Sequence, residues 1–114
     1  MIDKSTLANI HSYVEDKVGY IILDNPSRLN AISLSMWEKI GILLKEYENN
    51  NNIRCVVLKG KGKKAFSAGA DISEFNDNRS QSDTVLKYDN VSKNSLQILQ
   101  RFSKHTIALI DGYC

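Results

Sequence analysis

Two short stretches of this chain carry residue types suited to holding a ligand oxygen. The first is Gly60-Lys61-Gly62-Lys63-Lys64-Ala65-Phe66-Ser67-Ala68-Gly69-Ala70-Asp71-Ile72, and the second is Asp111-Gly112-Tyr113-Cys114. Each follows a short apolar run, Cys55-Val56-Val57-Leu58 and Ile107-Ala108-Leu109-Ile110 respectively. Small residues at a strand end let backbone N–H groups approach a ligand oxygen with no side chain between. Donors placed this way suit an oxyanion hole, which stabilises negative charge developing on a carbonyl oxygen. On spacing alone the glycines read first as a flexible connection. Gly60-Lys61-Gly62 is not a phosphate-binding P-loop, because the full spacing and the Lys-Ser/Thr ending are missing.

Such loops need a sheet whose strands end on one side. Ile10 to Glu15 and Val18 to Leu23 read as two strands joined by Asp16-Lys17, a hairpin. Met36, Trp37, Ile40, Leu43, Leu44 and Tyr47 recur at helical spacing, with Ser35 and Glu38 as a capping-box signature. Asn49-Asn50-Asn51-Asn52 punctuates the pattern after that helix. Cys55 to Leu58 lacks alternation, as expected of a strand buried on both faces of a parallel sheet. A second helix is predicted from about Asp83 to Phe102, with Tyr88, Val91, Ser95, Ile98, Leu99 and Phe102 on one stripe. Ile107 to Ile110 repeats the buried-strand pattern. The order hairpin, helix, strand, loop, helix, strand is α/β, with right-handed crossovers expected. Ligands of open α/β folds bind beyond the carboxyl ends of the parallel strands, where both glycine stretches lie.

Composition bounds the reading. The chain has 114 residues, a net charge of +2, 42% hydrophobic and 25% charged residues. Those values fit a single soluble domain, argue against disorder, and point to no nucleic-acid partner. No apolar run approaches the roughly 20 residues of a membrane helix, and the start lacks a secretory pattern. Two cysteines, Cys55 and Cys114, are too few for a disulfide framework and suggest a cytoplasmic setting. No metal site is read. His11 and His105 read as structural or surface groups, Cys55 as a small core residue and Trp37 as part of the helix's apolar stripe. Asp71, Glu74 and Asp77 form an acidic cluster, and none is taken as the catalytic base.

Phe66-Ser67-Ala68-Gly69-Ala70-Asp71-Ile72, following an apolar strand, closely resembles the CoA-ester loop of the crotonase family, the enoyl-CoA hydratases and isomerases. Three further segments match in order. Leu23-Asp24-Asn25-Pro26-Ser27-Arg28-Leu29-Asn30-Ala31-Ile32 resembles the family's first CoA-contacting segment. Ile53 to Gly60 resembles the strand before the oxyanion loop, and Ile107 to Cys114 the strand leading to the second oxyanion glycine. The resemblance spans nearly the whole chain and implies the family's ββα spiral fold. It implies that the Ala70 N–H donates to the thioester oxygen, and that carbonyls around Ala68, Ala70 and Ile72 meet the adenine of CoA. Asp71 falls within the same CoA-contacting motif. Arg28, with the backbone near Asn30 and Ala31, would run along the CoA phosphates or pantetheine. Lys59, Lys61, Lys63 and Lys64 suit phosphate contacts on charge, or equally a solvated basic loop.

The implied activity is hydration of a 2-enoyl-CoA through an enolate, with CoA carried as part of the substrate and no separate cofactor. The family places both catalytic glutamates and the second oxyanion glycine after the Asp-Gly-Tyr-Cys segment. Residues 1–114 are therefore expected to be the N-terminal portion of one larger domain and inactive by themselves. Lys104-His105-Thr106 also departs from the family's lysine-proline pair. Homo-oligomerisation as a trimer or hexamer, or association through the truncated face, is expected. Double-bond isomerisation, thioester hydrolysis, decarboxylation and ring closure share these motifs. A non-catalytic CoA-binding or interaction module is the alternative from another class.

Overall fold

A computed structural model describes residues 8–73 and 81–114. Its elements run β1 (Asn9–Glu15), β2 (Val18–Asp24), a short 3-10 turn (Pro26–Arg28), α1 (Leu34–Glu48), β3 (Cys55–Gly60), α2 (Gln81–Gln100) and β4 (His105–Leu109). They form a four-stranded sheet in the order β1-β2-β3-β4. β1 and β2 are antiparallel, while β2–β3 and β3–β4 are parallel, so α1 and α2 are the two crossovers. The α/β class and the element order are as the sequence predicts.

The hairpin turns on Asp16 and Lys17, whose φ angles of 51° and 67° are both positive. That pair is what a two-residue turn needs to match the twist of its strands. In β2, Gly19, Ile21 and Leu23 point inward at every second position and meet the apolar stripe of α1. The core they share holds Ile10, Ile21, Leu23, Met36, Ile40, Leu44, Tyr47, Ile53 and Val56. Tyr47 lies so close over β2 that a Cβ on Gly19 would come within 2.7 Å of its ring. The Tyr47 hydroxyl donates to the Tyr20 carbonyl at 3.0 Å, tying the end of α1 to β2. Lys104 ties the same helix end to the start of β4, donating to the carbonyls of Tyr47 and Asn50. In β3, Val56 and Val57 face opposite sides of the sheet and both are buried.

Two expectations are corrected. The cap of α1 is Ser33, not Ser35: the Ser33 hydroxyl accepts from the Met36 amide, and the Met36 sulfur accepts from the Ser33 amide. The preceding residue, Ile32, is paired in extended form with a distant loop, so the helix starts directly after it. The second correction concerns β4, whose five residues are all exposed. Ile107 and Leu109 are 48% and 53% exposed. β4 is the sheet's edge, and among the described residues only β3 borders it. An apolar run supplies the means for burial, but a neighbour has to supply the cover.

α2 begins and ends about two residues earlier than predicted. Tyr88 and Ser95 are its buried contacts, while Val91, Ile98 and Leu99 are half-buried. α2 packs along α1 at Gly41, where an added Cβ would meet the Ser95 hydroxyl at 2.9 Å.

Candidate functional site

The site is built where β2 and β3 end. After β2 the chain makes the 3-10 turn at Pro26–Arg28, then passes through Leu29 and Asn30 with φ of 51° and 60°. Left-handed backbone is costly for leucine and tolerable for asparagine, so neighbouring bonds must hold the pair in place. Asn25 and Asn30 provide them. The Asn25 amide donates to Asn30 Oδ1 at 2.9 Å, and the Asn30 amide donates to the Asn25 carbonyl at 2.9 Å. Asn30 Nδ2 donates across to the Ala65 carbonyl at 2.9 Å, fastening this turn to the loop after β3.

β3 ends at Gly60, where nothing larger than glycine fits. A Cβ there would lie 2.3 Å from the Ala65 carbonyl oxygen. The loop folds back over it, and the second glycine stretch joins at the same place. The Tyr113 amide donates to the Lys64 carbonyl at 3.0 Å, and the Phe66 amide donates to the Tyr113 carbonyl at 2.7 Å. Gly112 makes that approach possible, with φ of 80° and a hypothetical Cβ 2.2 Å from the Lys64 carbonyl oxygen. The two strand-end stretches singled out by sequence are thus side by side.

Ala70 sits in a parallel bridge with Ile32. The Ile32 amide donates to the Gly69 carbonyl at 2.7 Å, and the Asp71 amide donates to the Ile32 carbonyl at 3.0 Å. Successive peptide groups of an extended segment point to opposite sides. The bonds from residues 69 and 71 to Ile32 therefore turn the N–H of Ala70 away from Ile32. That N–H meets no acceptor among the described residues, and Ala70 is exposed. The carbonyls of Ala68, Ala70 and Ile72 likewise accept no bond among the described residues.

A cavity of about 360 Å³ opens at this point. Arg28 and Ala31 line one side of it, with Ala68, Ala70, Asp71, Ile72 and Ser73 completing the wall. Every residue carried over from the resemblance lines this cavity except Asn30. The Asn30 side chain is buried and committed to the loop-to-loop bond. Lys59, Lys61, Lys63 and Lys64 are not among the lining residues. Lys61 instead approaches Asp24 at 3.5 Å, and Asp24 also takes His11 Nε2 at 2.6 Å.

Asp71 lies inside the wall, 6% exposed. Its carboxylate accepts from the Ser73 hydroxyl at 2.6 Å, the Ser73 amide at 3.0 Å and Asn25 Nδ2 at 3.0 Å. Burial by itself would raise its pKa, but these bonds and the charge of Arg28 hold it below the ordinary carboxylate value. A carboxylate so engaged is a brace for the loop and is poorly disposed to take a proton. Glu74 and Asp77, the other members of the acidic cluster, lie outside the described residues. Among the described residues no group of three metal-binding side chains comes together.

Sequence reasoning missed the hub of the site. Asn25 is 2% exposed, and its carboxamide donates both to the Ala31 carbonyl at 2.8 Å and to Asp71. Placed directly before Pro26, it reads only as a turn former. Trp37 is core-facing as expected, with its indole N–H donating to the Tyr88 hydroxyl at 2.8 Å.

Comparison with known proteins gives consistent matches. The family model described as enoyl-CoA hydratase/isomerase matches residues 18–114. The enoyl-CoA hydratase/isomerase YngF of Bacillus subtilis is 35% identical over 97 residues, 85% of this chain and 36% of that protein. The mitochondrial 3-hydroxyisobutyryl-CoA hydrolase of Rattus norvegicus is 34% identical over 98 residues, covering 82% of this chain and 25% of that one. In structure, an enoyl-CoA hydratase/carnithine racemase from Magnetospirillum magneticum superposes with a TM-score of 0.82 at 32% identity. That superposition covers 90% of this chain and 39% of the other. The chain thus spans well under half the length of the proteins it matches.

Proposed function

The chain belongs to the enoyl-CoA hydratase/isomerase family, and on that premise we propose that it supplies the CoA-ester side of an active site that hydrates 2-enoyl-CoA thioesters. The observation that carries this reading is the outward N–H of Ala70 at the cavity, which meets no acceptor among the described residues. A thioester oxygen placed there receives one hydrogen bond. When water adds to the β-carbon of the enoyl group, the electron pair of the double bond moves toward the carbonyl, and negative charge builds on that oxygen. A preorganised donor aimed at it stabilises the enolate more than the ground state. The proton then added at the α-carbon, and the one removed from water, pass through positioned acid–base groups.

Arg28 faces the phosphate or pantetheine portion, and the carbonyls of Ala68, Ala70 and Ile72 face the adenine amino group. Asp71 takes the role of holding these carbonyls in place, inside the wall. CoA arrives as part of the substrate, and no separate cofactor or metal enters the reading. The same donor suits thioester hydrolysis, which also places negative charge on the carbonyl oxygen. The resemblance to a 3-hydroxyisobutyryl-CoA hydrolase is what favours keeping that second reaction. The protein is proposed to act in the cytoplasm and as a homo-oligomer. Among the described residues no helix is long and apolar enough to cross a membrane.

The acid–base glutamates and second donor of the family are assigned to neither Asp71 nor any other residue of this chain. Loss of a single oxyanion donor costs about 10²–10³ in rate. The 114-residue chain is therefore expected to bind a CoA thioester without turning it over. Calorimetric titration with acetyl-CoA, with ATP as comparison, tests the first part, and equal affinity for the two would overturn it. Loss of enoyl absorbance from crotonyl-CoA tests the second, where turnover clearly above a blank would do the same.

A further inference from the structure

Ile32 is the residue against which Ala70 is aligned, and its carbonyl accepts two hydrogen bonds. One comes from the Asp71 amide at 3.0 Å, and the other from the hydroxyl of Tyr88 on α2 at 2.5 Å. Tyr88 is buried, and its hydroxyl in turn accepts the indole N–H of Trp37 at 2.8 Å. A donor bonded onto a hydroxyl polarises it and strengthens the bond that the hydroxyl itself donates. The Trp37 carbonyl accepts the Ser95 hydroxyl at 2.7 Å, which holds α2 about two turns further along against α1. A continuous set of bonds therefore runs from α2 through Tyr88 to Ile32, and from Ile32 to both neighbours of Ala70.

We propose that Tyr88 is a positioning residue for the Ala70 donor, acting through the carbonyl of Ile32. This rests on the reading of Ala70 as the thioester donor. Without the hydroxyl, the Ile32 carbonyl keeps only the Asp71 amide as donor among the described residues, and its peptide group is otherwise tied by the weak bond from the Ser33 amide to the Met36 sulfur. The hydroxyl fixes the plane of the carbonyl from the helix side, and with it the direction in which the bridge turns the N–H of Ala70. The ring of Tyr88 fills space that phenylalanine would also fill, so the hydroxyl is the part that carries the role.

The test is Tyr88→Phe in the 114-residue chain, read first by amide hydrogen exchange with no ligand present. Exchange of the Ile32 and Asp71 amides should accelerate about 5-fold, the usual net effect of one hydrogen bond. The Ile21 and Val56 amides in the central strands should not change. Unchanged exchange at Ile32 and Asp71, or equal acceleration everywhere, overturns the proposal. Ser95→Ala breaks the neighbouring bond between the helices and leaves Tyr88 in place. It should not accelerate Ile32 and Asp71, and the same local pattern in that variant would assign the effect to helix packing and overturn the proposal.

Should Tyr88→Phe fail to fold, Trp37→Phe removes the bond onto the same hydroxyl and is read at the same two amides. Absence of acceleration there overturns the proposal as well. In the ligand arm, Tyr88→Phe should weaken acetyl-CoA a few-fold while leaving CoA, which lacks the carbonyl, unchanged. An exchange effect without any preference for the thioester in either form would remove the thioester reading of Ala70 and keep the coupling. Thioester preference that survives without an exchange effect would do the reverse.

Discussion

Asp71→Asn isolates the brace that holds the donor loop. The substitution keeps size and shape, removes the charge, and puts a donor NH₂ where one carboxylate oxygen stood. The Ser73 amide and hydroxyl now reside on Asp71 Oδ1, and Asn25 Nδ2 on Oδ2. One amide oxygen can keep the Ser73 bonds in weakened, neutral form. The other position would then face Asn25 Nδ2 donor to donor, so that bond is lost. Hydrogen bonds to charged groups contribute about 1.5–3 kcal/mol, against about 1 for neutral ones. Losing one and weakening the others predicts destabilisation of about 2–4 kcal/mol at pH 7. That is a large fraction of the 5–15 kcal/mol typical of a folded domain.

The pH dependence sharpens this test. The Asp71 pKa is lowered in the folded chain. Its stabilising contribution is therefore complete above the unfolded-state value of about 4 and is lost as the pH falls through the lower folded value. The gap between the parent chain and Asp71→Asn should be level from pH 8 to about 5 and narrow in strong acid. Urea unfolding followed by the fluorescence of Trp37, the single tryptophan, measures it at each pH. A gap under about 0.5 kcal/mol at pH 7, or one that does not shrink at acid pH, refutes the account of Asp71 as a charged brace.

The parts of the fold decided by local sequence were legible. The hairpin followed from two β-rich runs and a two-residue gap, and α1 from the spacing of Met36, Ile40, Leu44 and Tyr47. What failed depends on distant neighbours. Ser33 and Ser35 are both acceptable caps, and the pairing of Ile32 with residues 69–71 chooses between them. The apolar run of β4 carries no sign of whether anything covers it. The same division applies to the site. The Ala70 loop was legible through its resemblance to a known motif. Asn25, the side-chain bond of Asn30 and the hydroxyl of Tyr88 were not, because their chemistry is satisfied by partners 46, 35 and 56 residues away. A carboxamide beside proline resembles a turn former, and a tyrosine on an apolar stripe resembles core.

Three further perturbations follow from the packing. Gly19→Ala should destabilise the chain by about 1–3 kcal/mol, because its methyl would press within 2.7 Å of the Tyr47 ring; thermal unfolding checks it. Lys104→Met removes the bonds to the Tyr47 and Asn50 carbonyls at the end of α1, and a loss of about 1–3 kcal/mol is expected with affinity for acetyl-CoA unchanged. The last concerns β4. Among the described residues its outer edge is unpaired, and Ile107, Leu109, Ile110 and Tyr113 are all about half exposed or more. An open strand edge beside apolar side chains favours pairing with another chain. The isolated chain should therefore associate as its concentration rises, with a light-scattering mass above that of the monomer. Leu109→Lys places a charge on this edge, away from the donor loop, and should return the mass to the monomer while leaving the Asp71 pH profile intact. A parent chain that stays monomeric over the whole concentration range and unfolds in one cooperative step would show that the exposed face of β4 does not drive association.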